Sequence, residues 1–387
     1  MNLEDTFFAH FESLEDPRQQ NHHLKHHLTD IVALSILGTI CGANTMVDIC
    51  EFAEANLTWL QSFLTLENGI PSHDTFQRVF AKLNPVLFEE CFRNWIGSLD
   101  LSEDGPLKKM IAIDGKTSRG SGCQTKNIKP IHTVAAWASS HRLMLGQIKT
   151  EEKSNEITAV PKLLEKIDIK DCIVTLDAMG CQTKIQQSII DKKADYVVNV
   201  KGNQGNLEKE VRALFCHGES IQYKKIYNLH KIEKVHDRPR VETRKYSLIR
   251  LRDCPEFELR WPGLQSIGRV IVKRTENNVT TKSIRYFVTS LAYDDIENFM
   301  NSARKHWDIE INLHWSLDVA FREDESKIRV GFSAENVGLI RRIALNLLKQ
   351  EKTHKRGIES RRKRAGWDRD YLWKVLTADQ SIKKSTN

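Results

Sequence analysis

Two apolar runs in this chain each end on an aspartate. Ile111-Ala112-Ile113 delivers Asp114, and Cys172-Ile173-Val174-Thr175-Leu176 delivers Asp177. Each run reads as a buried strand carrying one carboxylate to its exposed end. Gly115-Lys116-Thr117-Ser118-Arg119-Gly120-Ser121 follows Asp114 at once, a loop of small residues and cations open to the backbone of a large ligand. A carboxylate beside cations suits a metal-bridged phosphodiester; the plainer alternative is an aspartate that caps a turn. Two carboxylates a few ångströms apart repel unless a cation neutralises them. Mg2+ or Mn2+ does so through oxygen ligands, and two such ions about 4 Å apart serve the attacking and leaving oxygens of an in-line phosphoryl transfer. A third acid would complete the centre, with Asp308, Glu310, Asp318, Glu323 and Asp324 as rivals; one inward glutamate on a core helix would favour Glu310 and leave the others as surface acids. Lys116 and Lys201 are candidate phosphate contacts, the second because its Gly202-Asn203-Gln204-Gly205 neighbours suit close backbone approach.

The elements that must position these groups are legible in the periodicity. Strands are expected at about 109–114, 131–138, 142–149, 172–177 and 196–201, and helices at about 155–167, 183–190 and 206–215. Three hairpin-linked strands followed by alternating helix and strand give a mixed sheet flanked by helices. In a ribonuclease-H-like arrangement the first and fourth strands are neighbours, which by fold analogy brings Asp114 and Asp177 together. Between about 220 and 291, runs such as 246–250, 269–274 and 285–290 alternate cations with apolar residues and predict a β-rich insertion. The segment Trp307 to Phe321 is ambiguous. Trp307, Ile309, Ile311, Leu313, Trp315, Leu317, Val319 and Phe321 alternate strictly, which by period is a strand, whereas a helix would stack His306, Glu310 and His314 at i, i+4.

Residues 1–104 read as an all-helical N-terminal domain. Thr29 or Asp30 can cap a densely apolar helix that stops at Gly42, and Ser72 can cap a short helix that Asn84-Pro85 separates from a second. That pair has the outline of a DNA-reading helix-turn-helix, although packing alone is the simpler account. His22, His23, His26 and His27 have spacings a metal could use, but the run is too polar to promise a buried second shell.

Composition narrows the classes. With 40% hydrophobic and 28% charged residues over 387 positions the chain is globular, long enough for two or three domains. Its longest apolar stretch, Ile31 to Ala43, is too short to span a bilayer, and the N-terminus lacks the pattern of a signal peptide, so a cytoplasmic, nucleoid-associated protein is expected. Eight scattered cysteines without a Cys-x-x-Cys pair read as reduced thiols. The net charge of +7 resides in residues 349–387, a basic C-terminal tail with 12 Lys/Arg against 5 Asp/Glu, and residues 201–287 add 19 cations against 10 anions. Two basic regions point to a polyanion.

The chain resembles the DDE transposases of bacterial insertion sequences, specifically the H-repeat-associated group. The resemblance rests on Ile113-Asp114-Gly115-Lys116, Asp177-Ala178, Lys201-Gly202-Asn203-Gln204, His306-Trp307-x-Ile309-Glu310 and Leu313-His314-Trp315-x-Leu317-Asp318-Val319. Gly69-Ile70-Pro71-Ser72-His73-Asp74-Thr75 matches the associated N-terminal domain and Arg341-Arg342-x-Ala344-Leu345-Asn346-Leu347-Leu348 the C-terminal helix, so nearly the whole chain is covered.

The resemblance implies an α/β, ribonuclease-H-like catalytic domain at 105–348 with the β-rich insertion, and a metal-binding triad of Asp114, Asp177 and Glu310 with Glu310 on a helix. It implies Mg2+ or Mn2+, two per site, double-stranded DNA as partner (terminal repeats and target), and a homodimer when two ends are paired. Where the wider group sets a Tyr, an Arg and a Lys around the glutamate, this chain has Ala303, His306 and Leu317, so only His306 is left as a DNA contact there. The alternatives are a metal-dependent nuclease that cuts without joining and a DNA-binding relic that no longer cuts.

Overall fold

The computed structural model describes residues 7–18, 24–99, 109–150, 156–217, 228–237, 240–251 and 261–377. Its centre is a nine-stranded sheet in the order β3-β2-β1-β4-β5-β9-β8-β7-β6. The strands are β1 (Met110–Ser118), β2 (Ile131–Ala138), β3 (Leu143–Thr150), β4 (Ile173–Leu176), β5 (Asp195–Val200), β6 (Asn228–Asp237), β7 (Arg240–Arg250), β8 (Ser266–Glu276) and β9 (Val279–Thr289). β1, β4 and β5 are parallel and β2 is antiparallel to β1, the ribonuclease-H-like mixed sheet that the element order predicts. The β-rich insertion is part of the same sheet, because β9 pairs antiparallel with β5 from Val197↔Thr289 to Val200↔Tyr286. The sequence does not predict β6. Its polar residues Lys231 and Glu233 are interleaved with an exposed Ile232, so no apolar face marks it.

Helices cover both faces. Helix Ile296–Lys305 lies across β1, β4 and β5 and seats Ile296, Phe299 and Ala303 on Met110, Ile173, Val197, Tyr246, Leu248 and Val270. On the other face one apolar cluster joins helices Glu156–Lys166 and Thr183–Asp191, the N-terminal helices and the long helix Ser333–Gln350. Ser72 caps its helix as expected, accepting from the Thr75 amide, and at the break Asn84 accepts from the Val86 amide with Pro85 opening Pro85–Ser98. Thr29 and Asp30 do not cap Leu28–Ile40; Asp30 is buried and accepts from the amides of Thr65 and Leu66. His22 and His23 lie outside the described residues.

Polar groups on Ser333–Gln350 fix its seat. Asn346 accepts from the Met144 amide at 2.9 Å and donates to the Met144 carbonyl at 3.0 Å, satisfying backbone groups of the edge strand β3. Asn336 donates to the carbonyls of Phe80 and Leu83, both at 2.9 Å. Arg342 and Glu323, only 2% and 1% exposed, form an ion pair at 2.6 Å. Glu323 is therefore not the surface acid that the sequence suggests; it is a buried counter-ion.

The basic tail is also folded as far as Thr377. Helices Ile358–Trp367 and Arg369–Thr377 bury Ala365, Tyr371, Leu372, Val375 and Leu376, and the buried Arg362 donates to the carbonyls of Thr39, Ala43 and Ala320 while lying over the Phe321 ring. A guanidinium has enough donors to close several loop and helix ends at once, which a charge count does not reveal. The seven described cysteines are free thiols. Among the described residues no helix is long and apolar enough to cross a membrane.

Truncating Glu323 leaves Arg342 buried without its carboxylate. Glu323→Ala is expected to destabilise the protein by about 3–5 kcal/mol, and the apolar pair Glu323→Leu with Arg342→Met to recover most of that. Urea midpoints of the three proteins check this; a double variant no more stable than the single one contradicts it.

Candidate active site

β1 keeps its two neighbours for different lengths. Its parallel pairing with β4 ends at Ile113↔Leu176, whereas its antiparallel pairing with β2 continues to Ser118↔Ile131. Asp114 therefore stands inside a strand, not at its end, at the first position where the β4 side is open. Asp177 is the first residue past β4 and so lies beside it, accepting from the amides of Met179 and Gly180 at 2.8 and 3.4 Å.

The glycines after Asp114 serve the chain itself and not a ligand. A Cβ on Gly115 would come within 2.4 Å of Glu156 Oε1 and 2.6 Å of His132 Nε2, two buried groups that are 2.6 Å apart. One on Gly120 would meet the carbonyl oxygens of Asp324 and Ser326 at 2.5 Å. Arg119 donates its amide to Asp324, so the loop after β1 is strapped to the segment that follows the glutamate helix.

Residues 308–321 are helical. A π-turn over Glu310–His314 runs into helix Trp315–Phe321, with the Trp315 amide bonded to the Glu310 carbonyl five residues back. The strict alternation has a helical explanation: Ile309, Leu313, Leu317 and Phe321 are buried on one side, while Trp307, Ile311, Trp315 and Val319 form a second, exposed stripe. Two apolar stripes four residues apart in period, offset by two, counterfeit a strand. The π-turn widens the helix at the glutamate, as such turns do at functional sites.

Asp114, Glu310 and His314 each offer a ligand atom within 4.8 Å of the others. His314 Nδ1 is 2.9 Å from Glu310 Oε2 and 3.8 Å from Asp114 Oδ2. A carboxylate only accepts, so the imidazole proton sits on Nδ1. Burial raises the Asp114 carboxyl to about 6, against the pull of His314, with Asp177 and Glu156 adding to the rise. Glu310 is held below the usual carboxylate range by its bond from His314. Of the expected triad, the structure gathers Asp114 and Glu310 most closely and sets Asp177 along the same cleft of about 360 Å³.

The other expected contacts take different places. Lys116, 8% exposed, donates to both oxygens of Asp318 at 2.6 and 2.8 Å and stands 3.5 Å from Asp324. It is a strut from β1 to the glutamate helix, and its ammonium is not open to a phosphate. Lys201 is exposed and lines the cleft, while Asn203 and Gln204 beside it donate to the carbonyls of Ala178 and Cys181 and lock the two turns together. His306 shares a 3.0 Å hydrogen bond with Thr175, and burial pushes its imidazole down to about 4. It is neutral at pH 7 and unsuited to act as a cation. Sequence reasoning missed Arg285 in the cleft wall, His132 and Glu156 beneath Gly115, and the partnership of Lys116 with Asp318. None of these has a local signature, whereas His314 is marked by its place four residues after Glu310.

Since the folded-state carboxyl of Asp114 titrates above its unfolded value, ionising it destabilises the fold. The penalty is absent below about pH 4, grows as pH rises toward 6 and is complete above that, at most about 3 kcal/mol. Asp114→Asn is expected to raise the melting temperature at pH 7.5 in chelator, with no gain at pH 4. A lower melting temperature at pH 7.5 would contradict this.

Residues 105–347 match the family model described as Transposase DDE domain, and residues 8–96 match DDE_Tnp_1-associated. The chain is 38% identical over 380 residues to the H repeat-associated putative transposase YhhI of Escherichia coli K12, covering 95% of this chain and 96% of that protein. It is 38% identical over 369 residues to the putative transposase YncI of Escherichia coli O157:H7, covering 94% and 93%. Among solved structures it has a loose likeness to a piggyBac transposase in a synaptic complex with hairpin DNA, at TM-score 0.43 and 10% identity over 98% of this chain and 82% of that one. By sequence over nearly its whole length, the chain belongs to the DDE transposase family, in the H-repeat-associated group.

Proposed function

We propose that the protein is an active DNA transposase that cuts DNA strands and joins the freed 3′ ends to a target, using Asp114, Asp177 and Glu310 as a metal-binding triad. The observation that carries this reading is the crowding of Asp114 and Glu310 within 4.8 Å at the open side of β1, with Asp177 on the neighbouring strand end. The donor set fits a hard divalent cation: oxygens predominate, and Asp114, whose carboxyl burial holds above its usual range with Asp177 and Glu156 adding to the rise, would ionise more readily beside one. Mg2+ or Mn2+, two per site, would be held by these three acids and would supply activation of the attacking oxygen and stabilisation of the leaving one.

The chain's own residues do the rest. His314 keeps the Glu310 carboxylate turned toward Asp114, and Lys116 ties the two supporting elements together through Asp318. Domains at 1–104 and 105–348 would divide the work, the first gripping the terminal repeats. Joining two ends calls for two active sites, hence a homodimer on double-stranded DNA. No covalent enzyme intermediate is needed, because water and then the 3′-hydroxyl are the nucleophiles.

The test uses a labelled duplex carrying the element's own ends, taken from the DNA flanking the gene. With Mg2+ or Mn2+ the wild type is expected to nick at the boundary and to join the 3′ end to a second duplex. Glu310→Gln should bind the same DNA but cut it at least the ~100-fold more slowly that losing even an outer partner of a metal costs. Cutting without joining would leave a nuclease, and cutting by Glu310→Gln at the wild-type rate would remove Glu310 from the triad.

A further inference from the structure

One wall of the cleft holds two cations that the fold leaves without a bonded counter-ion. The register between β5 and β9 ends at Val200↔Tyr286, so Lys201, the first residue past β5, and Arg285 of β9 each lie one residue beyond that pair on neighbouring chain segments. Both side chains line the same cleft as Asp114, Asp177, Glu310 and His306. Like charges held close together repel. Neither cation has a hydrogen bond or carboxylate partner among the described residues, and Arg285 has only the Phe287 ring, whose centre is 5.9 Å from its guanidinium carbon.

Glu242, whose charge favours the Arg285 cation, is engaged by Arg244 and Arg274, and Arg244 itself adds to the positive field. On the other side Asp177 is engaged by its own turn. Burial and Arg244 together press the guanidinium toward losing its proton, and both Arg285 and Lys201 oppose protonation of His306. The wall thus has an excess of positive charge, half-buried at Arg285 and exposed at Lys201, that Glu242 offsets only in part.

We infer that Arg285 and Lys201 form a phosphate clamp that holds a DNA phosphate next to the reacting one, with Arg285 supplied by the β-rich insertion. The inference rests on the transposase reading for its substrate, but the anion site itself does not. A planar guanidinium accepts a phosphate through two parallel hydrogen bonds, and an ammonium near it completes the grip from the neighbouring segment. The geometry also gives the insertion a role, since β9 brings Arg285 to the catalytic sheet and β6 to β8 support β9.

The test has two readouts that do not require cleavage. Thermal unfolding in phosphate-free buffer with chelator compares wild type, Arg285→Gln, Arg285→Lys and Lys193→Gln, the last an exposed lysine before β5 at the far end of that strand. Pyrophosphate is expected to raise the melting temperature of wild type and Lys193→Gln, partly that of Arg285→Lys, and not that of Arg285→Gln. Without pyrophosphate, Arg285→Gln should be no less stable than wild type, since it relieves a like-charge pair. In anisotropy titrations of a labelled duplex against NaCl, Arg285→Gln should lower the log–log salt slope by about 1. A loss of several degrees in Arg285→Gln without ligand would make Arg285 a structural cation and overturn the clamp, as would an unchanged pyrophosphate response and salt slope. If pyrophosphate responds to Arg285 while no DNA is bound or cut, the clamp stands and the transposase reading falls.

Discussion

Carboxylates that must meet in a half-buried cleft repel, and the rest of this structure is organised to hold them there. Asp114 and Glu310 come from opposite ends of the catalytic region, one fixed in a strand and the other on a helix that has no hydrogen-bonded ladder to the sheet. The interaction that spans them is Lys116 with Asp318: two residues beyond Asp114 and eight beyond Glu310, a buried ammonium grips a carboxylate at 2.6 Å. A buried charge that lost this partner would be strongly unfavourable, so the pair enforces a relative position even where its net contribution to stability is small.

Further ties act on the same helix. Arg342 neutralises Glu323 just past its end, Arg362 donates to the Ala320 carbonyl in its last turn and covers Phe321, and the loop at Arg119 and Gly120 is strapped to Asp324 to Ser326. Each tie reaches a different part of the chain: the 333–350 helix, the N-terminal helices through Thr39 and Ala43, and β1. The glutamate is thus positioned by nearly every layer, which gives a physical reason for basic residues beyond position 349 to be folded inward instead of extended toward a polyanion.

Much of this was legible in the sequence. The five strands of the ribonuclease-H-like sheet, the cap at Ser72 and the helix break at Asn84-Pro85 follow from periodicity and turn chemistry, and the adjacency of Asp114 and Asp177 follows once the first and fourth strands are neighbours. What escaped has common causes. The period of two in 307–321 came from two stripes on a helix, one of them exposed, and hydrophobicity alone does not say which stripe is buried. Charges were read as solvent-facing because that is their usual place, yet Lys116, Glu323, Arg342 and Arg362 are buried by partners 19 to more than 200 residues away. The glycines at 115 and 120 advertise close approach, but sequence does not tell whether the approaching group is a ligand or the chain's own Glu156 and Asp324.

The central claim is that the three acids form one cation site. The most direct measurement is anomalous diffraction from crystals of the protein soaked in Mn2+. The expected result is a peak at coordination distance from Asp114 and Glu310, with Asp177 joining, and its disappearance in Glu310→Gln. A peak at some other acid cluster, with none between Asp114 and Glu310 at saturating Mn2+, would contradict it.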